Sequence, residues 1–234
     1  MPISLIIYIL IVFGIQIYIN MINVVVIGHN EGAYVEDVVK SIGSSDNIIY
    51  VADRCTDSTK KICSKLGVRC IQTPHIWEGR KTSSSRNLGL SLCDKTSDVL
   101  FLDGDRCLVD GSIIDIENTS DIVCLPLMDD FRTKTHFEES FGYVLSGFYS
   151  CGIFFKRKAI DVITRFQGEL FPASVEQVWG IEDTCLGDVC YHLNLSAELS
   201  EKVKLRGSFS RRQVDSLDVI EMRLRFREHL NVKW

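Results

Sequence analysis

Asp103 and Asp105 close the apolar run "DVLFLDGD" with only Gly104 between them. Two carboxylates held that close raise each other's pKa unless a cation neutralises them. A hard divalent cation such as Mg2+ or Mn2+ does so, and bridges naturally to substrate phosphates. The competing reading is an Asp-Gly turn with solvated acids, and the local sequence fits both. Other polar groups end apolar runs in the same way. His29, Asn30 and Glu31 follow "INVVVIG", and Asp53 ends "NIIYVAD".

These residues need a frame, and the surrounding pattern supplies one. From residue 22 the chain repeats strand, turn and helix. "INVVVIG" is short, apolar and rich in β-branched residues, as expected of a strand buried on both faces. Val35, Val38, Val39 and Ile42 then recur at helical spacing, and Gly43 ends that helix. "NIIYVAD" predicts a second strand. A helix follows over about 56–66, with Thr56, Asp57 or Ser58 as N-cap and Gly67 as its stop. "VRCIQTP" reads as a third strand, "SSSRNLGLSLC" as a helix, "DVLFLD" as a fourth strand and "DIVCLPL" as a fifth. Beyond about residue 135 the pattern loosens. "GYVLSGFYSCGIFFKR" suggests one or two further strands, and "SLDVIEMRLRFREHL" a closing amphipathic helix. Alternating strands and helices predict an α/β fold with a mostly parallel central sheet flanked by helices. In such sheets ligands bind beyond the C-terminal strand ends. The endings of the first, second and fourth strands therefore converge on one rim.

Composition agrees with a globular α/β chain. Its 234 residues are 46% hydrophobic, enough for a packed core. The net charge of −5 gives no general attraction to nucleic acid. Residues 202–234 nonetheless carry nine Lys/Arg against four Asp/Glu, which fits either a phosphate contact or a solvated helix face. Nine cysteines occur without CxxC or Cys/His zinc spacing, so they read as small core residues in a reducing compartment. The uncharged stretch "ISLIIYILIVFGIQIYI", residues 3–19, has two readings. It is either an N-terminal membrane anchor or an extension upstream of a true start at Met21. The expected catalytic domain is cytoplasmic under both.

The motifs in order resemble family 2 glycosyltransferases of GT-A fold, the Rossmann-like nucleotide-diphospho-sugar transferase architecture. "VVVIGHNEGAYVEDVVKSI" is similar to the family's opening, and "IIYVADRCTDSTKKICSKLGV" to its second strand and acidic turn. "GRKTSSSRNLGL" resembles the segment before the Asp-x-Asp, with Ser85 where Ala is usual. "VLFLDGD" matches the Asp-x-Asp (DXD) itself. "WGIEDTCLGDVCY" resembles the acceptor motif. The likeness runs over about 22–192.

That resemblance implies roles. Asn30 and Glu31 line the nucleotide pocket, and Asp53 holds the donor's base or ribose. Arg80 and Lys81 approach the diphosphate, while Arg86 supports the pocket. Asp103 contacts ribose or metal, and Asp105 is the more direct ligand of a Mn2+ or Mg2+ cofactor. Asp183 is the catalytic base with Glu182 beside it. Trp179 and Gly180 meet the acceptor, Trp179 as a platform for a sugar face; plain core packing is the alternative for Trp179. The implied reaction is metal-dependent, inverting transfer from a nucleotide-sugar donor to an acceptor hydroxyl on a glycan, lipid, protein or modified nucleic acid. The implied organisation is one domain over 21–234: a nucleotide-sugar-binding half at 21–110, an acceptor half at 111–200 and the basic segment 201–234. His192 is the nearest match for a further metal-contacting His, although it falls within a predicted helix. Two rivals stand beside this reading. A haloacid-dehalogenase-like phosphatase would use Asp103 as nucleophile, but that motif normally opens its domain. A sugar-nucleotide nucleotidyltransferase would need a Gly-rich basic loop where this chain has "GHNEGAY".

Overall fold

The first strand, β1 (Asn23–Gly28), is buried along nearly its whole length. Its side chains alternate between two cores, as the two-residue period of a strand requires. Val25 and Ile27 pack with Val51, Leu90 and Phe101 on one face of the sheet. Val24 and Val26 pack with Val38, Tyr50 and Leu100 on the other. The computed structural model describes residues 22–43, 47–74, 81–116, 119–128, 151–175, 181–207 and 216–231.

β1 is followed by α1 (Val35–Ile42), which buries Val35, Val38, Val39 and Ile42 and ends at Gly43 with φ 91°. Next come β2 (Ile48–Ala52), α2 (Thr59–Lys65) and β3 (Arg69–Gln72). Then follow α3 (Thr82–Ser91), β4 (Val99–Asp103) and β5 (Cys107–Val109). The second half holds β6 (Ile122–Cys124), β7 (Gly152–Phe155), α4 (Arg157–Gln167), α5 (Ile181–His192), β8 (Ala197–Leu199), β9 (Lys204–Arg206) and α6 (Ser216–Leu230).

The main sheet runs β3-β2-β1-β4-β7-β6-β8. The pairs β1–β2, β1–β4, β2–β3 and β6–β8 are parallel, whereas β7 is antiparallel to both neighbours. The expected mostly parallel α/β sheet is therefore present. The fifth run, "DIVCLPL", does form a strand, but β7 separates it from β4. One face is covered by α1, α2 and the small antiparallel ribbon β5–β9, through Val38, Cys63, Leu108 and Leu205. The other is covered by α3, α4, α5 and α6, through Leu90, Ile163, Val189 and Phe226. Each large apolar side chain removed from water in this way contributes about 1.5–3 kcal/mol.

A buried ion pair ties the last helix to α5. Arg227 of α6 donates through Nε to Asp188 Oδ2 at 2.7 Å and through Nη2 to Asp188 Oδ1. All nine cysteines are free thiols, and most are buried. Residues 3–19 lie outside the described residues. Among the described residues, no helix is long and apolar enough to cross a membrane.

Candidate active site

The register of the parallel strands sets the rim. Ile27 pairs with Asp103 and Gly28 with Ala52, so three turns leave the sheet at one level. Backbone bonds pin them together. The Gly104 amide donates to Ile27 O at 2.7 Å, and the Asp53 amide donates to Gly28 O at 2.8 Å.

Asn30 and Asp57 lock the first two turns to each other. Asn30, at φ 58°, accepts the Thr56 amide on Oδ1 at 2.7 Å, and its own amide donates to Cys55 Sγ at 3.2 Å. Asp57 accepts the Gly32 amide on Oδ2 at 2.8 Å. Asp53 is held from two sides. Arg54 donates to both its carboxylate oxygens, at 2.9 and 2.7 Å, and Thr73 Oγ1 donates to Oδ1 at 2.9 Å.

Behind the Asp-x-Asp turn lies a small polar chamber. A Cβ on Gly104 would stand 2.3 Å from Glu31 Oε2 and 2.5 Å from Tyr50 Oη, so only glycine leaves room for both. Neither of these buried oxygens has a hydrogen-bond partner among the described residues. Burial raises the Glu31 carboxyl to about 8, with Asp105 and Asp103 adding to the rise and Arg106 opposing it. Burial also raises Asp105; Asp103 adds to that effect, while Arg106 works against it. Arg106 forms a direct ion pair with Asp105.

Arg86 carries the second half of the site. It is 2% exposed and lies with Cζ 5.3 Å from the Phe171 ring centroid. Its Nη2 donates to Asp103 Oδ1 at 3.0 Å, and its Nη1 is 3.9 Å from Glu182 Oε1. Burial opposes its charge, but Asp103, Asp183 and Glu182 together outweigh that and raise its pKa. Glu182 and Asp183 occupy the first turn of α5, where the helix dipole favours acids. Thr82 Oγ1 donates to Glu182 at 3.3 Å. The two acidic pairs, far apart in sequence, thus meet across one buried guanidinium.

The neighbours of Arg86 on α3 explain its fixed position. Asn87 accepts the Phe171 amide at 3.0 Å and donates to Phe171 O at 2.7 Å, holding the ring beneath Arg86. Gly89 lets α3 sit close on β1, since a Cβ there would stand 2.3 Å from Val25 Cγ1.

Asn30, Glu31, Asp53, Asp103 and Asp105 therefore gather at the rim, and Arg86 joins them to Glu182 and Asp183. Lys81 is the N-cap residue of α3. Arg80, Trp179 and Gly180 lie outside the described residues. His192 is nine residues beyond Asp183 on α5, about 13 Å along the axis. It is exposed, and its ring packs against Phe166 at 5.2 Å between centroids. Tyr50, Asn87 and Arg106 escaped the sequence reading. Tyr50 looks like strand filling, and Asn87 sits in the "RNLG" segment without a distinguishing spacing. Only Arg106, a charge directly after the Asp-x-Asp, carried a signal.

The donor set suits a hard cation: carboxylate oxygens on one turn, with the unpartnered Glu31 Oε2 behind it. Among the described residues, no group of three His, Cys, Asp or Glu is arranged to hold a metal alone. Mg2+ is commonly held by one or two carboxylates plus substrate phosphates, which matches this count.

The family comparison covers the same rim. Residues 23–116 match the model described as glycosyl transferase family 2. Over that segment, about two fifths of its length, the chain is similar to this family. The matched segment contains four of the five motifs and ends before "WGIED". No curated protein sequence matches the chain. Among solved structures it resembles glucosyl-3-phosphoglycerate synthase from Mycobacterium tuberculosis. The complex of that synthase with Mg2+ and uridine diphosphate has a TM-score of 0.58 at 16% identity, covering 92% of this chain and 81% of that one. Its complex with Mn2+, UDP-glucose and phosphoglyceric acid has a TM-score of 0.53 at 18% identity, covering 92% and 81%. At such identity the likeness speaks for the GT-A fold.

Proposed function

We propose that this protein is a glycosyltransferase that moves a sugar from a nucleoside diphosphate donor to an acceptor hydroxyl, with inversion, using a divalent cation at Asp103 and Asp105. The observation that carries the reading is the bridge by Arg86 between Asp103 and Glu182. It brings a leaving-group site and an attacking-group site within one side chain's reach. A bound cation would supply Lewis-acid stabilisation for the charge that builds on the departing diphosphate. Asn30 and Asp57 fix the loops that form the nucleotide pocket, and Asp53 presents a carboxylate already oriented by Arg54 and Thr73. Lys81 faces the diphosphate. Arg86 keeps Glu182 and Asp103 oriented.

Asp183 takes the proton of the acceptor hydroxyl as the new bond forms, a contribution of about 10²–10⁴-fold. One base on the face opposite the leaving group gives a single displacement and hence inversion. Under this reading 21–110 is the donor half, 111–200 the acceptor half, and 201–234 a basic flank. Trp179 and Gly180 would meet the acceptor.

The resembling synthase is recorded with UDP, UDP-glucose and Mn2+, so uridine diphosphate sugars are the first donors to try. Its recorded acceptor is phosphoglyceric acid, and the acceptor class of the present chain stays open. The test is a screen of nucleotide sugars for release of the free nucleoside diphosphate, with and without Mn2+. Metal-stimulated release from one donor class supports the reading. Phosphate release from simple phosphoesters, with none from nucleotide sugars, would favour a phosphatase.

A further inference from the structure

The Asp-x-Asp turn runs into Arg106, and Arg106 folds back on it. Its guanidinium forms an ion pair with Asp105 although the residue is only 8% exposed. The surroundings are shaped for it. Gly207, just after β9, leaves the space: a Cβ there would stand 2.5 Å from Arg106 Nη1 and 2.7 Å from its Cδ. The Cys151 thiol hydrogen-bonds the same side chain. The three acids Glu31, Asp103 and Asp105 all lie within its field. Yet Arg106 Nε is buried without a partner among the described residues, so this pose leaves one of its own donors unsatisfied. A buried donor left without a partner is costly, so the folded-back pose of Arg106 is held less firmly than its burial alone suggests.

A guanidinium and a metal ion seek the same carboxylate, and each repels the other strongly where water is scarce. We infer that Arg106, the counter-ion of Asp105, competes with the divalent cation for that carboxylate. It thereby sets how tightly this chain holds its metal. The inference rests on the metal reading of Asp103 and Asp105 proposed above. Arg106 acts here as a positioning residue, through Asp105.

The test measures Mn2+ affinity of the full chain by electron paramagnetic resonance of the free ion, with and without UDP. Arg106→Gln removes the competing charge and is expected to bind Mn2+ about tenfold more tightly than wild type. Arg106→Met likewise removes the charge while keeping an unbranched side chain, and is expected to shift affinity in the same direction. Circular dichroism melts in EDTA establish which variants are folded. If Arg106→Gln does not fold, Arg106→Met decides the matter alone. Unchanged or weaker Mn2+ binding by the folded variant overturns the role of Arg106 and leaves the metal site standing. No Mn2+ binding by any of the proteins, with or without UDP, overturns the metal site and the inference together.

Discussion

Replacing Arg86 by Leu removes the guanidinium that Asp103 and Glu182 share. Arg86 is 2% exposed, 3.0 Å from Asp103 Oδ1 and 3.9 Å from Glu182 Oε1. At an effective dielectric of about 20, unit charges about 4 Å apart attract by about 4 kcal/mol. Desolvation of the guanidinium offsets part of this in the wild type. In the variant only the weak bond from Thr82 Oγ1 and the dipole of α5 remain to offset the desolvation of Glu182, which is 5% exposed. Removing one partner of a buried pair typically costs about 3–5 kcal/mol, and we expect a loss in that range at pH 7. The loss must depend on pH. Without Arg86, folding buries the Glu182 carboxylate with no opposite charge beside it, a cost that applies only when the group is ionised. Stability of the variant is then retained at low pH and falls as pH rises past the ordinary carboxylate range. Urea unfolding followed by circular dichroism at pH 5 and pH 8 measures both effects. Adding Glu182→Gln to Arg86→Leu should recover part of the loss. A loss below about 1 kcal/mol at pH 8, or the same loss at both pH values, would refute the bridge.

Glu31 gives a second pH prediction. Its carboxyl is raised from 4.5 to about 8 in the fold, so wild-type stability in EDTA should fall between those values as only the unfolded chain ionises. Glu31→Gln should flatten that slope, whose limit is about 1.4 kcal/mol per pH unit, in urea titrations across the window. Arg227→Ala removes the guanidinium that the buried Asp188 carboxylate holds and should cost about 3–5 kcal/mol in the same assay. The double variant Arg227→Met with Asp188→Leu should be milder. Asp183→Asn should keep donor affinity by calorimetry while lowering transfer by about 10²–10⁴-fold; wild-type turnover would move the base elsewhere.

The first four strands include three that were legible because they are buried on both faces. "NVVVI", "IIYVA" and "VLFL" are unbroken apolar runs, and each ends where the rim begins. Asp53, Asp103 and Asp105 could therefore be placed by position alone. Strands β5, β8 and β9 were not legible. Each has three residues, too few to show a two-residue period. The antiparallel insertion of β7 between β4 and β6 also leaves no mark in local pattern, since pairing direction is a tertiary choice. Arg86 was read as a supporting residue, but its link to Glu182 depends on α3 and α5 meeting over Phe171. Tyr50 reads as a β-former, and its exceptional feature, a buried hydroxyl beside Glu31, exists only once β1 and β2 are paired.

The central claim is that Asp103 and Asp105 hold a divalent cation against a donor diphosphate. Calorimetric titration of UDP into wild type and Asp105→Ala, each with Mn2+ and with EDTA, tests it most directly. The account predicts that Mn2+ tightens UDP binding to wild type and leaves the variant's affinity at its metal-free level. Equal tightening in both proteins, or none in wild type, would contradict it.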